Sequence, residues 1–215
     1  LERKQVSSAK IAARARQALP AYESEADVSP LDHLVLGLIE RELHGSSAKA
    51  VAHFRAADPS PRMAATNMSL AEVARIYQIE AMPAEEARQA ASELAVLAQR
   101  RGQNGIAVAA LAQSARAAAA CGERGTARDA ALQSRALLTR WYPDAIYRGD
   151  IWLWLSTAFR TLGDAQSAAD TAREAVDWIE SVAREHVPEA FRESFLERNV
   201  VNRRLREAMT RVNRG

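Results

Sequence analysis

The 215-residue chain has a single cysteine, Cys121, so no disulfide can form within it and a reducing compartment, the cytoplasm, is expected. One cysteine cannot supply zinc-finger spacing. The four histidines, His33, His44, His53 and His186, form no HExxH pair, so no metal centre is expected. Glycine is sparse: Gly102-x2-Gly105 and Gly122-x2-Gly125 lack the length and the following Lys-Ser/Thr of a phosphate loop, and no cofactor is expected. No apolar run is long enough to span a membrane. The opening "LERKQVSSAKIAARARQALP" is basic but has no continuous apolar core, so it is not a secretory signal. The chain starts at Leu1, which suits a piece of a longer polypeptide. Acid pairs such as Glu85-Glu86 read as first-turn charges that complement a helix dipole, and no catalytic residue is expected.

What the chain has in excess is alanine, 46 of its 215 residues, and arginine, 26 against three lysines. Alanine, leucine, arginine and glutamate lose little freedom in a helix, whereas strand formers are few, so the fold class is all-α. Small side chains also let helices approach closely. The 29 basic and 27 acidic residues nearly cancel, and a net charge of +2 gives little overall field.

Helix signals recur at short intervals. Ser29, Pro30 and Asp32 form a capping box, and Ser69 with Glu72 and Thr126 with Asp129 repeat the device. Asp150 and Asp164 read as N-caps, Gly45, Gly122 and Gly163 suit the left-handed turn after a helix, and Pro83 opens another helix. The predicted helices are 3–19, 30–43, 46–57, 69–81, 83–101, 105–121, 125–140, 150–162, 164–185, 188–197 and 200–212, in one continuous domain over 1–215. Cys121 falls at an alanine-rich helix end, where packing is its expected role.

A period runs through these helices. Trp152-x2-Leu155-Ser156-x2-Phe159, Gly163 and Ala168-x3-Ala172 share a layout with Leu111-x2-Ser114-Ala115-x2-Ala118, Gly122 and Ala127-x3-Ala131. Leu70-x2-Val73-Ala74-x2-Tyr77 with Ala87-x3-Ala91 precedes them, and His33-x2-Leu36-Gly37-x2-Glu40 with Ala50-x3-Phe54 comes first. The second-helix alanines Ala50, Ala87, Ala127 and Ala168 are spaced by 37, 40 and 41 residues, somewhat above the tetratricopeptide unit of about 34. The pattern resembles a degenerate tetratricopeptide repeat, with Ser156 in place of the usual glycine and Ala172 in place of an aromatic residue. The resemblance implies a superhelical array of about four or five antiparallel helical hairpins; a HEAT-like array has units of similar length.

The C-terminal stretch "EHVPEAFRESFLERNVVNRRLREA" adds a second resemblance. It is similar to a tail found after degenerate tetratricopeptide repeats in large bacterial signalling proteins, including winged-helix transcription regulators and relatives with ATPase or cyclase modules. Val187-Pro188-Glu189, Phe191-Arg192, Arg198-Asn199 and Asn202 match that tail, and Val200 replaces its proline. This implies a non-catalytic sensory or docking region of a regulatory protein, with capping helices over about 186–215.

In such arrays the first helix of each hairpin lines a concave surface. The exposed positions there are Leu38, Arg75, Arg116 and Thr157, with Arg41, Gln78, Ala119 and Arg160 one turn on. Four of these eight are arginine, which suits a carboxylate- or phosphate-bearing partner. The candidate partner-binding residues are therefore Arg41, Arg75, Gln78, Arg116, Thr157 and Arg160, and the expected partner is an acidic protein or peptide. Trp154 and Tyr147, aromatic and without a place in the repeat, are candidate ligand contacts. Two alternatives stay open: self-association as a homodimer, and nucleic-acid contact through Arg203, Arg204, Arg206, Arg211 and Arg214. Against the latter, Val201, Leu205, Ala208 and Val212 make an apolar stripe that suits a capping helix.

Overall fold

The first helix starts where its local chemistry says it should. Ser29 Oγ accepts the Asp32 backbone N–H at 3.2 Å, and the Asp32 carboxylate accepts the Ser29 N–H at 3.3 Å. In a computed structural model that describes residues 29–45, 47–57, 68–143 and 145–212, all regular structure among the described residues is helical. The helices are α1 (Pro30–His44), α2 (Ala48–Ala56), α3 (Met68–Glu80), α4 (Ala84–Arg100), α5 (Asn104–Ala120), α6 (Arg124–Leu138), α7 (Arg148–Leu162) and α8 (Ala165–Glu185). Short α9 (Glu189–Glu193), a π-helical turn (Ser194–Arg198) and α10 (Val200–Val212) follow. No described helix is long and apolar enough to cross a membrane. The predicted helix 3–19 lies outside the described residues.

The turns follow the expected glycine chemistry: Gly45, Gly122 and Gly163 have φ of 71°, 81° and 76°, a region side-chain-bearing residues avoid. Asp164 caps α8, its carboxylate accepting the Ser167 N–H at 3.0 Å. Three expected caps are corrected. α3 begins at Met68, which puts Ser69 inside it, and Glu72 turns instead to Arg101 at 2.8 Å. α6 begins at Arg124, so Thr126 sits in its first turn behind Glu123, which makes no side-chain capping bond. α7 begins at Arg148, so Asp150 is also inside its helix, drawn off by distant partners.

Helices α1 to α8 pack in chain order, most extensively α4 on α5 and α5 on α6 and only lightly α3 on α4, and α1 also lies on α3, α3 on α5, α5 on α7 and α7 on α10. α8 also lies on α10. α5 lies at the centre of this row, with 13 of its 17 residues buried. Its alanines explain why: a helix apolar all round can be covered on every side, and methyl-sized side chains let several neighbours approach at once. α8, at the edge, buries only Ala168, Ala169, Thr171, Ala172, Ala175, Ile179 and Ala183. In the first hairpin Gly37 makes room for Phe54, which is 1% exposed and stacks on Tyr77 with ring centroids 5.4 Å apart.

The C-terminal turn is held by the residues singled out in its motif. Asn199 caps α10 by accepting the Asn202 N–H at 2.9 Å. Asn202 donates to the Phe195 carbonyl at 2.9 Å and accepts the Tyr147 hydroxyl at 2.6 Å. Arg192 donates to the carbonyls of Val187 and Arg184, both at 3.1 Å. Val201, Leu205 and Ala208 then seat α10 in the core.

The row of helices turns back on itself. Arg41, near the end of α1, reaches Asp150 in α7 at 2.8 Å, and Glu42 accepts the backbone N–H of Val200, the first residue of α10, at 3.1 Å.

Candidate functional site

That return places Arg41 inside the molecule. Its Nε lies 2.6 Å from Glu80 Oε2, its Nη2 lies 3.1 Å from Glu80 Oε1 and 2.8 Å from Asp150 Oδ1, and the guanidinium sits 5.0 Å from the centre of the Tyr77 ring. The Tyr77 hydroxyl donates to Asp150 Oδ2 at 3.1 Å, and Trp154 Nε1 donates to Glu80 Oε1 at 3.1 Å. Every polar atom of both carboxylates thus has a donor, drawn from α1, α3 and α7. Burial disfavours charge on Glu80, but the adjacent Arg41 outweighs it and holds the carboxyl below its ordinary range. Asp150 is more deeply buried; there burial wins, reinforced by Glu80, and its carboxyl is pushed up despite Arg41. Burial would lower the Arg41 guanidinium, but Asp150 and Glu80 hold it above its usual value.

Two of the six expected groove residues are therefore committed to structure. Arg41 is the centre of this cluster, and Gln78, 4% exposed, donates to the Phe54 carbonyl at 2.8 Å near the end of α2. Arg75 is exposed on α3 and does not line the cleft that the remaining candidates share. Neither aromatic candidate stands without a packing role. Trp154 is 2% exposed, edge-on to Tyr77 and hydrogen-bonded to Glu80, while Tyr147 packs on Trp178 and donates to Asn202. Burial lifts the Tyr147 phenol above its ordinary range. Trp152 and Phe159 are core residues.

The remaining three meet. Arg116, Thr157 and Arg160 line a cleft of about 390 Å3 between α3, α5, α7 and α10, with Trp154 and Glu80 also in its wall and Arg204 and Glu207 contributed by α10. Leu153, Ser156, Thr157 and Arg160 form one stripe along α7, spaced three and four residues apart as a helix face requires. Arg116 is fixed in place. Its Nε donates to Gln113 at 2.8 Å, and its Nη2 donates to the carbonyls of Ile79 and Glu80 at 3.4 and 3.3 Å, where it closes the end of α3. Burial lowers the Arg116 guanidinium from its ordinary value, although Glu80 partly offsets this. Arg160 and Arg204 are exposed and have no hydrogen-bond or ion-pair partner among the described residues.

Chemically the cleft is a set of guanidinium donors on a rigid wall. Glu80 is already neutralised by Arg41, and Glu207 lies 3.8 Å from Arg203. Sequence reasoning missed Glu80, Asp150 and Ser156 as parts of a site. Glu80 looks like a surface acid ending a helix and Asp150 like a cap, whereas Ser156 was visible only as a departure from the repeat's glycine. Among the described residues no cluster of three or more potential metal ligands occurs. No family model, curated protein or solved structure matches the chain.

Proposed function

We propose that this chain is a non-catalytic docking module that holds an acidic protein or peptide against the arginine surface where α7 meets α10. The reading treats the paired helices as a tightly wound tetratricopeptide-like array closed by α10. One observation carries it: Arg160 and Arg204, on different helices and with no hydrogen-bond or ion-pair partner among the described residues, line a single cleft together with Arg116, where the guanidiniums outnumber the two carboxylates of Glu80 and Glu207. Exposed arginines on helices ordinarily find i,i+3 or i,i+4 acids, as Arg88 does with Glu85 and Arg173 with Asp170. Two unpaired guanidiniums converging on one cavity leave charge for a partner to meet. The similarity of the tail to bacterial signalling proteins supports placing the module in a larger regulatory protein, where docking would couple a partner to an effector domain.

A fluorescent oligoglutamate peptide provides the test. The chain is expected to bind it, with affinity falling as salt rises because exposed charges are screened within about 10 Å at 0.1 M ionic strength. An oligolysine peptide is expected not to bind. The double variant Arg160→Glu/Arg204→Glu should abolish binding with an unchanged melting temperature, since neither side chain makes a hydrogen bond or ion pair among the described residues. Oligoglutamate binding that survives the double reversal would sink the proposal.

A further inference from the structure

The cleft has a feature that general charge attraction does not require. Ser156 is 3% exposed and lines the cavity, yet its hydroxyl has no hydrogen-bond partner among the described residues. Its neighbour Thr157 satisfies its own hydroxyl on the Leu153 carbonyl at 2.7 Å, the usual resort of a hydroxyl inside a helix. Thr161 and Thr210 do the same on the carbonyls four residues back. The Ser156 hydroxyl is not one of the sealed polar atoms of the interior; it opens to the cavity, where a ligand atom can reach it. Arg116 shows the same incompleteness. Its Nε and Nη2 are spent on protein acceptors, while its Nη1 has none among the described residues.

We infer that the cleft is an oxyanion site, in which one carboxylate or phosphate group is held by the Ser156 hydroxyl, Arg116 Nη1 and the exposed guanidiniums of Arg160 and Arg204. The inference rests on the docking reading above and names its anchor. A cavity of about 390 Å3 is at the small end of ligand pockets, which run from about 300 to 1,000 Å3. It takes a single acidic group with a few attached atoms rather than a length of helix. The geometry divides the labour: Arg116, held by α3 carbonyls, sets the position of the anion, and Arg160 and Arg204 close over it from the two rims. Glu80 does not repel the anion as a free carboxylate would, because Arg41 grips both of its oxygens.

The experiment compares wild type with Ser156→Ala by calorimetric titration, using three probes: inorganic phosphate, succinate and the oligoglutamate peptide. Removing one hydrogen bond to a charged group is expected to weaken binding by about tenfold or more, for at least one small anion and for any probe whose acidic group enters the cleft. Phosphate binding tighter than succinate would mark a phosphoryl group as the natural anchor, and the reverse order a carboxylate; either supports the site. Arg160→Gln/Arg204→Gln should weaken the same probes, and Ser156→Ala should leave the melting temperature within a degree or two, which separates loss of a ligand contact from loss of fold. If oligoglutamate binds but Ser156→Ala changes no affinity, the anchor is overturned while surface docking stands. If neither small anion nor peptide binds wild type, both readings fall.

Discussion

Arg41→Ala is expected to destabilise the fold by about 3–5 kcal/mol, because it strands two buried carboxylates. The magnitude follows from what remains. Glu80 would keep only Trp154 Nε1, and Asp150 only the Tyr77 hydroxyl, in a niche where the Asp150 side chain is 3% exposed. Part of the penalty would be relieved by protonation of Asp150, whose carboxyl is already pushed up by burial. The loss should therefore be larger at pH 8 than at pH 5. Asp150→Asn makes the opposite case. An amide can accept from Arg41 with its oxygen and donate to Tyr77 with its nitrogen, and it needs no desolvation of charge, so a change within about 1 kcal/mol is expected. Urea denaturation with a shared slope for the three proteins measures both effects. A loss under about 1 kcal/mol for Arg41→Ala would mean that water replaces the guanidinium and that the cluster is not a structural centre.

Phe54→Ala is expected to cost about 3–5 kcal/mol through the cavity it leaves under α1 and beside Tyr77. The informative experiment adds Gly37→Ala, since a Cβ at position 37 would come within 2.5 Å of Phe54 Cε1. With Phe54 intact that methyl forces apart two helices whose contact is buried, at a cost of about 1–3 kcal/mol. With alanine at position 54 the clash disappears, the methyl partly fills the hole, and a glycine inside a helix is replaced by the best helix former, worth about 1 kcal/mol. Gly37→Ala should thus be destabilising in the first background and stabilising in the second. Additive costs in this double-mutant cycle would show that the ring and the glycine do not meet as described.

The helices were legible because their ends are written locally. Ser29 with Asp32, Asp164 with its own first turn, and the glycines at 45, 122 and 163 all act within a few residues of themselves. Asp150 had the same local signature and was misread, because its partners lie 109 and 73 residues away. The candidate site divides on the same line. Arg116, Thr157 and Arg160, three of the residues the repeat register singled out, line one cleft. Arg41 and Gln78 were placed in the same register, but Asp150 on α7 and the Phe54 carbonyl on α2 draw them inward. No local motif encodes a contact between residues so far apart in the chain. Arg204 came from a helix beyond the repeats, so the register could not have included it.

The contact from α1 back to α7 and α10 also changes what kind of polymer this is. A stack of hairpins that touch only their neighbours has no natural length: units can be added or removed, and the chain can fold from any point outward. Here hydrogen bonds join residues 109 and 158 positions apart, so α7 and α10 must be in place before Arg41 and Glu42 of α1 can be satisfied. The number of helices between these contacts is thereby counted by the molecule itself. A duplicated α5/α6 unit, harmless in an open stack, would carry Asp150 out of reach of Arg41 and Val200 out of reach of Glu42, and the closed count would have no way to absorb it.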